Sequence, residues 1–422
     1  MKVLIVSNTD AGGGAANGAL RLCECLNRVG VSSTLLVVKT QTSSRFVTVG
    51  LCKKSLLKKV MYRLYSYVER YFFKSFSTTN TIQHSLNFIS NIDVDYINNT
   101  DCDIVNLHWI CFDTLNAKDI AKINKPIVWT MHDSWPACGA EHHPNILEND
   151  ERYKQKYTRL NKPKSTKGVD LCRIAWKYKY KHLHNKKITF TAPSEWEANV
   201  LRQSSLFGHR KCVRIPNLLG QEVFKPVSVE TKKSLRLIFG LSENKRTICF
   251  GAAGFGTTKS DLKGGWYLKE ALTNLQHKDL YQIVVFGPKQ GVLFDNLGIQ
   301  VLYTGFQTNS EILSKFYGMC DVFVCPSIIE NLPFTILESM SCGLAVVGFN
   351  QGGIPDLIQH KKNGYLAKCY DFMDLKSGIE DCFENLNVYQ NESLEIVKKD
   401  YDSDIITKQY IDLFKEVIKE GE

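Results

Sequence analysis

The sequence predicts an α/β fold of two Rossmann-like, doubly wound parallel-sheet domains, and three observations predict it. Short apolar runs alternate with helical stretches along a chain of 422 residues, long enough for two domains of ordinary size. A glycine turn follows the first strand of each half: Gly12, Gly13 and Gly14 after Lys2–Ser7, and GAAG after the apolar run that starts at Thr247. The third observation is the stretch Asp321 to Glu338, DVFVCPSIIENLPFTILE. Its first five residues suit a buried parallel strand, Pro326 and Ser327 end that strand, and Pro333 stands where a helix would begin. Phe334, Ile336, Leu337 and Met340 follow at helical spacing, and Gly343 closes the helix.

In chain order, MKVLIVSNTD reads as a first core strand rather than a signal peptide, and a helix runs from about Ala15 to Arg28. The glycines are not spaced G-x-G-x-x-G, and strand two (Thr34 to Val38) ends in Lys39 rather than an acid. Both facts argue against a dinucleotide fingerprint. Residues 52–76 carry an apolar and aromatic stripe at helical spacing beside Lys and Arg. Two readings stand: a helix lying on an anionic membrane surface, or one packed on its own domain's sheet. Asp93-Val-Asp95 and Asp101-Cys-Asp103 read as turns, and strands follow at 103–109 and 126–132 with His132 at a carboxyl end. The stretch 152–187 reads as loop and then helix, and Ser194 with Glu197 forms a capping-box pattern. A hinge is placed between Pro216 and Pro226. Beyond it come strands at TICFG, YQIVVFG, VLYTGF, DVFVC, LAVVGF and NGYLA, a helix at about 309–318, and an amphipathic C-terminal helix.

Composition excludes several classes. No apolar run reaches membrane-spanning length. The 14 cysteines make no CxxC pair and several lie in apolar segments, the pattern of reduced, buried thiols in a cytoplasmic protein. His132, Cys138, His142 and His143 lack the spacing of a zinc site. The net charge of +10 is concentrated: 52–76 holds seven Lys/Arg against one Glu, and 152–187 holds thirteen against one Asp. The remainder of the chain is acidic.

Glu330 and Glu338, with seven residues between them and SMSCGLAVV following, resemble the E-x7-E signature of family 4 glycosyltransferases. The TMHDSW, APSEWEA and GGIPD segments resemble further motifs of that family, in a branch that builds bacterial surface polysaccharides such as capsule and O-antigen. The resemblance implies the GT-B fold, with two domains facing across a cleft: an acceptor-binding domain at 1–220, a nucleotide-sugar-binding domain at 221–400, and a helix at 401–422 crossing back. It implies a retaining hexosyltransferase that needs no metal or other cofactor. Its donor would be a nucleotide-diphosphate sugar and its acceptor a glycan or lipid-linked oligosaccharide. As catalytic residues it implies His132, Glu330 and Lys263. Donor binding falls to Gly13, Gly14, Lys259, Lys263, Asn331, Leu332, Pro333, Phe334, Thr335 and Glu338, and Asp133 and Trp135 border the acceptor. Carboxylates suit sugar and ribose hydroxyls, and a helix N-terminus with lysines suits a diphosphate.

The chain departs from the pattern twice. The Arg expected just after the strand at 247 is missing, which leaves Lys259 as its substitute, and Asp356 replaces a Glu. A lipid-linked acceptor implies work at the inner face of the cell membrane, as a peripheral protein on an anionic surface and without nucleic acid. The rival readings are a nucleotide-sugar epimerase or hydrolase on the same fold, and a basic nucleic-acid-binding protein. No recognisable nucleic-acid module accompanies the basic stretches.

Overall fold

The computed structural model describes residues 1–50, 56–251, 258–287, 293–307 and 309–421, and of 56–59, 61 and 147 the backbone alone. The chain divides into two compact units, Met1–Ile215 with Thr407–Glu422, and Pro216–Ile406.

The first unit holds β1 (Lys2–Thr9), β2 (Ser32–Lys39), β3 (Val47–Val49), β4 (Ile104–Leu107), β5 (Ile127–Thr130), β6 (Thr189–Ala192) and β7 (Cys212–Arg214). They form one sheet in the order β3-β2-β1-β4-β5-β6-β7, and every pairing is parallel. β4, β5 and β6 are buried along their whole length, as strands covered by helices on both faces must be. Within β4, Asn106 is the polar residue in an otherwise apolar strand. The order reverses between β1 and β4, so the carboxyl ends of those two strands form the unit's topological switch point.

The second unit holds β8 (Arg246–Gly251), β9 (Tyr281–Phe286), β10 (Gln300–Gly305), β11 (Val322–Cys325), β12 (Ala345–Phe349) and β13 (Gly364–Ala367). Its order is β10-β9-β8-β11-β12-β13, again all parallel, with the switch point between β8 and β11. Both sheets are therefore of the doubly wound kind that the alternation of runs predicts.

The stripe on the helix Leu56–Ser75 is divided between packed and exposed side chains. Phe72, Phe73 and the following Phe76 pack on the first unit's core, and Tyr65 meets Phe88 edge-on at 6.4 Å. Val60, Leu64, Tyr67, Val68 and Tyr71 stay exposed, Tyr67 at 72%, beside exposed Arg63, Arg70 and Lys74. Lys53 and Lys54, which belong to the same basic stretch, lie outside the described residues. The second basic stretch starts with a turn of helix at Arg152–Gln155 and ends in the helix Leu171–Leu183, whose N-cap Asp170 accepts from Arg173 N.

Ser194 caps the helix Glu195–Arg202 by accepting from Glu197 N at 3.1 Å. The Glu197 carboxylate accepts from Ser134 Oγ. From Thr407 the C-terminal helix Ser403–Lys419 is part of the first unit, where Tyr410, Leu413, Phe414 and Val417 are buried. Three-residue β3 and β7 and the helices Val229–Ile238, Phe372–Glu384 and Leu386–Asp400 are absent from the sequence reading. The two strands are too short to show a period.

Candidate functional site

In the second unit, the loops at the switch point bring Lys263 and Glu330 together. Lys263 Nζ donates to Glu330 Oε1 at 2.5 Å, and the neighbouring carboxylate charge holds the ammonium above its usual pKa. The pair is partly exposed, with 40% of the lysine side chain and 19% of the glutamate side chain open. Backbone contacts fix the geometry. Gly264, in the left-handed region at φ +69°, caps the helix Gly265–Thr273. A Cβ on it would stand 1.8 Å from Pro326 O, so glycine alone lets the Lys263 loop lie against the loop after β11. Ile328 N donates to Leu262 O at 2.8 Å across the same contact. From the other side Gly353 N donates to Glu330 O, and a Cβ on Gly352 (φ +60°) would stand 2.3 Å from that oxygen. The loop after β12 thus holds the glutamate's backbone.

Pro333 is the N-cap of the helix Phe334–Ser341, one place earlier than its expected position as first helical residue. The prolyl side chain of the N-cap makes no capping bond, and the first-turn N–H groups of a helix have no intrahelical acceptors. Asn331, Leu332 and Pro333 are buried, whereas Phe334 and Thr335 are partly open. Leu332 O accepts from Asn217 Nδ2 at 3.0 Å. Glu338 is 6% exposed and lies 3.5 Å from the Tyr317 hydroxyl. Lys259 is exposed, with its ammonium 4.5 Å from the Trp266 ring centroid. Residues 252–257, where the missing Arg would fall, lie outside the described residues.

In the first unit, Gly13 is the extended N-cap of the helix Gly14–Arg28, and a Cβ on it would meet nothing within 4 Å. His132 follows β5 and is partly exposed. Its Nε2 lies 2.8 Å from His108 Nδ1, and His108 Nε2 lies 2.9 Å from Asn106 Oδ1. Burial lowers the pKa of both imidazoles, that of His132 to about 4.

Asp133 and Trp135 follow His132 and are both buried. Asp133 is buried: Oδ2 accepts from Trp109 Nε1 at 2.8 Å and pairs with His142 Nδ1 at 2.6 Å, while Oδ1 accepts from Trp135 N. Burial opposes its ionisation, but the His142 charge and hydrogen bond overcome that and lower its pKa. The Trp135 ring is 2% exposed in the core, donates to Ser85 O, and lies 4.1 Å from the buried Lys179 ammonium. Both side chains are thus engaged by partners inside the first unit. His143 faces Ser134 and His142 faces Asp133 and Ser85. Among the described residues no group of three or more His, Cys, Asp and Glu converges as a metal-binding set.

Asn106, His108 and Trp109 escaped the sequence reading although DIVNLHW was in view. The available signal was a polar residue inside a four-residue buried strand, and a histidine just past the carboxyl end of a strand at the switch point.

Residues 259–395 match the family described as "Glycosyl transferases group 1". That segment is similar to family 4-like glycosyltransferases, and the two parallel-sheet units have the GT-B fold. The matched segment contains Lys259, Lys263, Glu330 and Glu338, and the fold likeness extends over the whole chain. Anabaena Alr3699/HepE, solved in complex with UDP, superposes with a TM-score of 0.65 at 15% identity, covering 99% of this chain and 100% of that one. A Rickettsia africae glycosyltransferase gives 0.67 at 16%, covering 99% of each. In sequence, the chain is 28% identical over 254 residues to a Campylobacter jejuni N,N'-diacetylbacillosaminyl-diphospho-undecaprenol alpha-1,3-N-acetylgalactosaminyltransferase. That match covers 58% of this chain and 63% of the relative. A Bacillus anthracis N-acetyl-alpha-D-glucosaminyl L-malate synthase is 29% identical over 133 residues, 30% of this chain and 34% of that one. The matches thus span less than two thirds of these relatives' lengths.

Proposed function

We propose that the protein is a retaining hexosyltransferase, moving a sugar from a nucleotide diphosphate to a lipid-linked glycan in surface-polysaccharide synthesis. The observation that carries this reading is the Lys263–Glu330 pair at the switch point of the second unit, inside the matched segment and with Glu330 three residues before the N-cap of the helix Phe334–Ser341. Lysine and first-turn N–H groups are the groups that stabilise a departing diphosphate, and no metal is needed for that role. Glu330 would accept from donor-sugar hydroxyls and Glu338 from the ribose. Gly13 and Gly14 would let a phosphate approach closely. In the reaction the bond from the anomeric carbon to the diphosphate oxygen breaks, and a bond to the acceptor oxygen forms on the same face. The acceptor's proton passes to the departing phosphate. A lipid-linked acceptor agrees with the Campylobacter relative, whose name specifies a diphospho-undecaprenol substrate.

Such an acceptor would be met at the inner face of the cell membrane, and the first unit carries a surface suited to anionic lipid. Exposed Leu64, Tyr67 and Tyr71 lie beside Arg63, Arg70 and Lys74. The bridge between Ser77 and Lys167 joins the end of that helix to the second basic stretch, where Arg159, Lys164 and a 99% exposed Leu160 stand open. Among the described residues no helix is long and apolar enough to cross a membrane. Each basic residue near an anionic surface contributes about 1 kcal/mol. Arg63→Glu with Arg70→Glu and Lys74→Glu should therefore release the protein from anionic vesicles, and raised salt should do the same. Unchanged sedimentation would refute a lipid-facing helix.

A thermal-shift screen of nucleotide sugars tests the donor reading, since a donor that binds the native state must raise its melting temperature. No shift with any nucleotide sugar, with salt-sensitive binding to RNA or DNA instead, would favour the nucleic-acid reading. Turnover of donor without added glycan would favour an epimerase or hydrolase.

A further inference from the structure

The hydrogen bonds around β4 and β5 determine which nitrogen of His132 carries a proton. Asn106 Nδ2 lies 3.1 Å from Val128 O, a carbonyl that can only accept, so the amide orientation is settled. The same nitrogen reaches Thr130 Oγ1 at 3.0 Å. Asn106 Oδ1 therefore faces His108 Nε2 at 2.9 Å, and that nitrogen must carry a hydrogen. His108 is 3% exposed, and among the described residues no carboxylate pairs with it, so the neutral ring is favoured. A neutral His108 protonated at Nε2 has a bare Nδ1. His132 Nε2, 2.8 Å away, must then donate to it.

The consequence is a fixed tautomer. His132 is held as the Nε2–H form, and its Nδ1 is a lone pair. Among the described residues no protein group hydrogen-bonds to that Nδ1, and His132 is the member of the three that is partly exposed. The neighbouring Asp133 cannot reverse the arrangement, because its oxygens are engaged by Trp109, His142 and the Trp135 backbone. Asn106 is anchored in the sheet, where it pairs in register with Val128, so the relay starts from the most rigid part of the unit.

We propose that Asn106 and His108 are positioning residues that hold His132 as a neutral acceptor, its Nδ1 presented to a hydroxyl of the bound substrate. The tautomer follows from the structure alone, and its use on a substrate hydroxyl rests on the transfer reading above. A hydroxyl donating to Nδ1 is oriented and made more nucleophilic, and no net charge is placed in the buried wall.

The relay is tested on the intact protein with ring-15N-labelled histidine, reading long-range 1H–15N correlations at neutral pH. His108 and His132 signals are assigned by their loss in His108→Gln and His132→Gln. Both rings should show protonated Nε2 and bare Nδ1. A His132 protonated at Nδ1, or a cationic ring, would overturn the assignment whatever the enzyme's substrate. For the role, His108→Phe keeps the shape and removes the acceptor, and it should lower kcat at least about tenfold with donor KM unchanged. His108→Gln, which can present a carbonyl oxygen to His132, should restore most of that loss. Equal kcat in His108→Phe and wild type would refute the positioning role, even with the tautomer as assigned. Should His108→Phe fail to fold, the wild-type spectrum still decides the tautomer, and Asn106→Leu replaces it in the kinetic test. Failure of Glu330→Gln to affect transfer would count against the donor site and leave the tautomer result standing.

Discussion

The two switch points use opposite chemistry on nearly the same scaffold. In the second unit the strand ends carry a charged pair, Lys263 with Glu330, on loops close-packed through Gly264 and Gly352. In the first unit they carry neutral imidazoles, His108 buried and His132 partly exposed, in a chain anchored on Asn106 and backed by the His142–Asp133 pair. The difference teaches what each place can do. A partly exposed cation beside a helix N-terminus can meet a polyanion without first losing all its solvation. A dry wall cannot hold an unpaired charge, so its useful property is direction: which atom donates and which accepts.

Glu330→Gln tests the charged half most severely. It keeps volume and removes the charge that faces Lys263, and transfer should fall by about two to three orders of magnitude, or roughly 3–4 kcal/mol of barrier. The melting temperature should hardly move. Wild-type turnover with the true donor and acceptor would break the contrast, because the pair would then be only a surface ion pair. His132→Ala should reduce transfer more than donor binding, and equal losses would make that residue structural.

Asp133→Asn addresses the other half, and here stability is the readout. Removing one member of a buried pair costs about 3 kcal/mol, seen as a lower urea midpoint. The pH dependence has a definite sign. The folded-state pKa of Asp133 lies below the unfolded value, so its contribution is present above the unfolded carboxylate range of about 3.9. It is lost as pH falls through the lower folded value. Wild type and variant should therefore converge in acid and diverge toward neutrality. A gap that stays constant with pH would show that Asp133 acts through shape alone.

Smaller effects sharpen the charged side. Lys263→Ala should weaken nucleoside diphosphate binding by about 1.5–3 kcal/mol by titration calorimetry, the range for hydrogen bonds to charged groups. Lys259→Ala should cost only about 0.5–1 kcal/mol, since that ammonium is exposed and lies over Trp266. If Lys259 proves the more costly of the two, it is the substitute for the missing Arg and Lys263 serves chiefly to hold Glu330.

Sequence alone determined the features that depend on neighbours in the chain. Apolar runs and helical periods predicted both parallel sheets, the Ser194 cap and the strand-loop-helix around Glu330, because burial on two faces and helix ends leave local patterns. The spacing of Glu330 and Glu338 carried the family resemblance for the same reason, since the motif lies on one loop and one helix. Tertiary structure decided what depends on residues far apart in the chain. Lys263 meets Glu330 only because two loops stack at a glycine, and Trp135 turned out to be core because its strand end folds inward. The stripe on Leu56–Ser75 could not be divided in advance, since period alone does not say which side the domain covers. The protonation of His132 lies furthest from the sequence. It depends on an amide two strand positions before His108 and a carbonyl on the next strand, a hydrogen-bonded order that no spacing of residue types encodes.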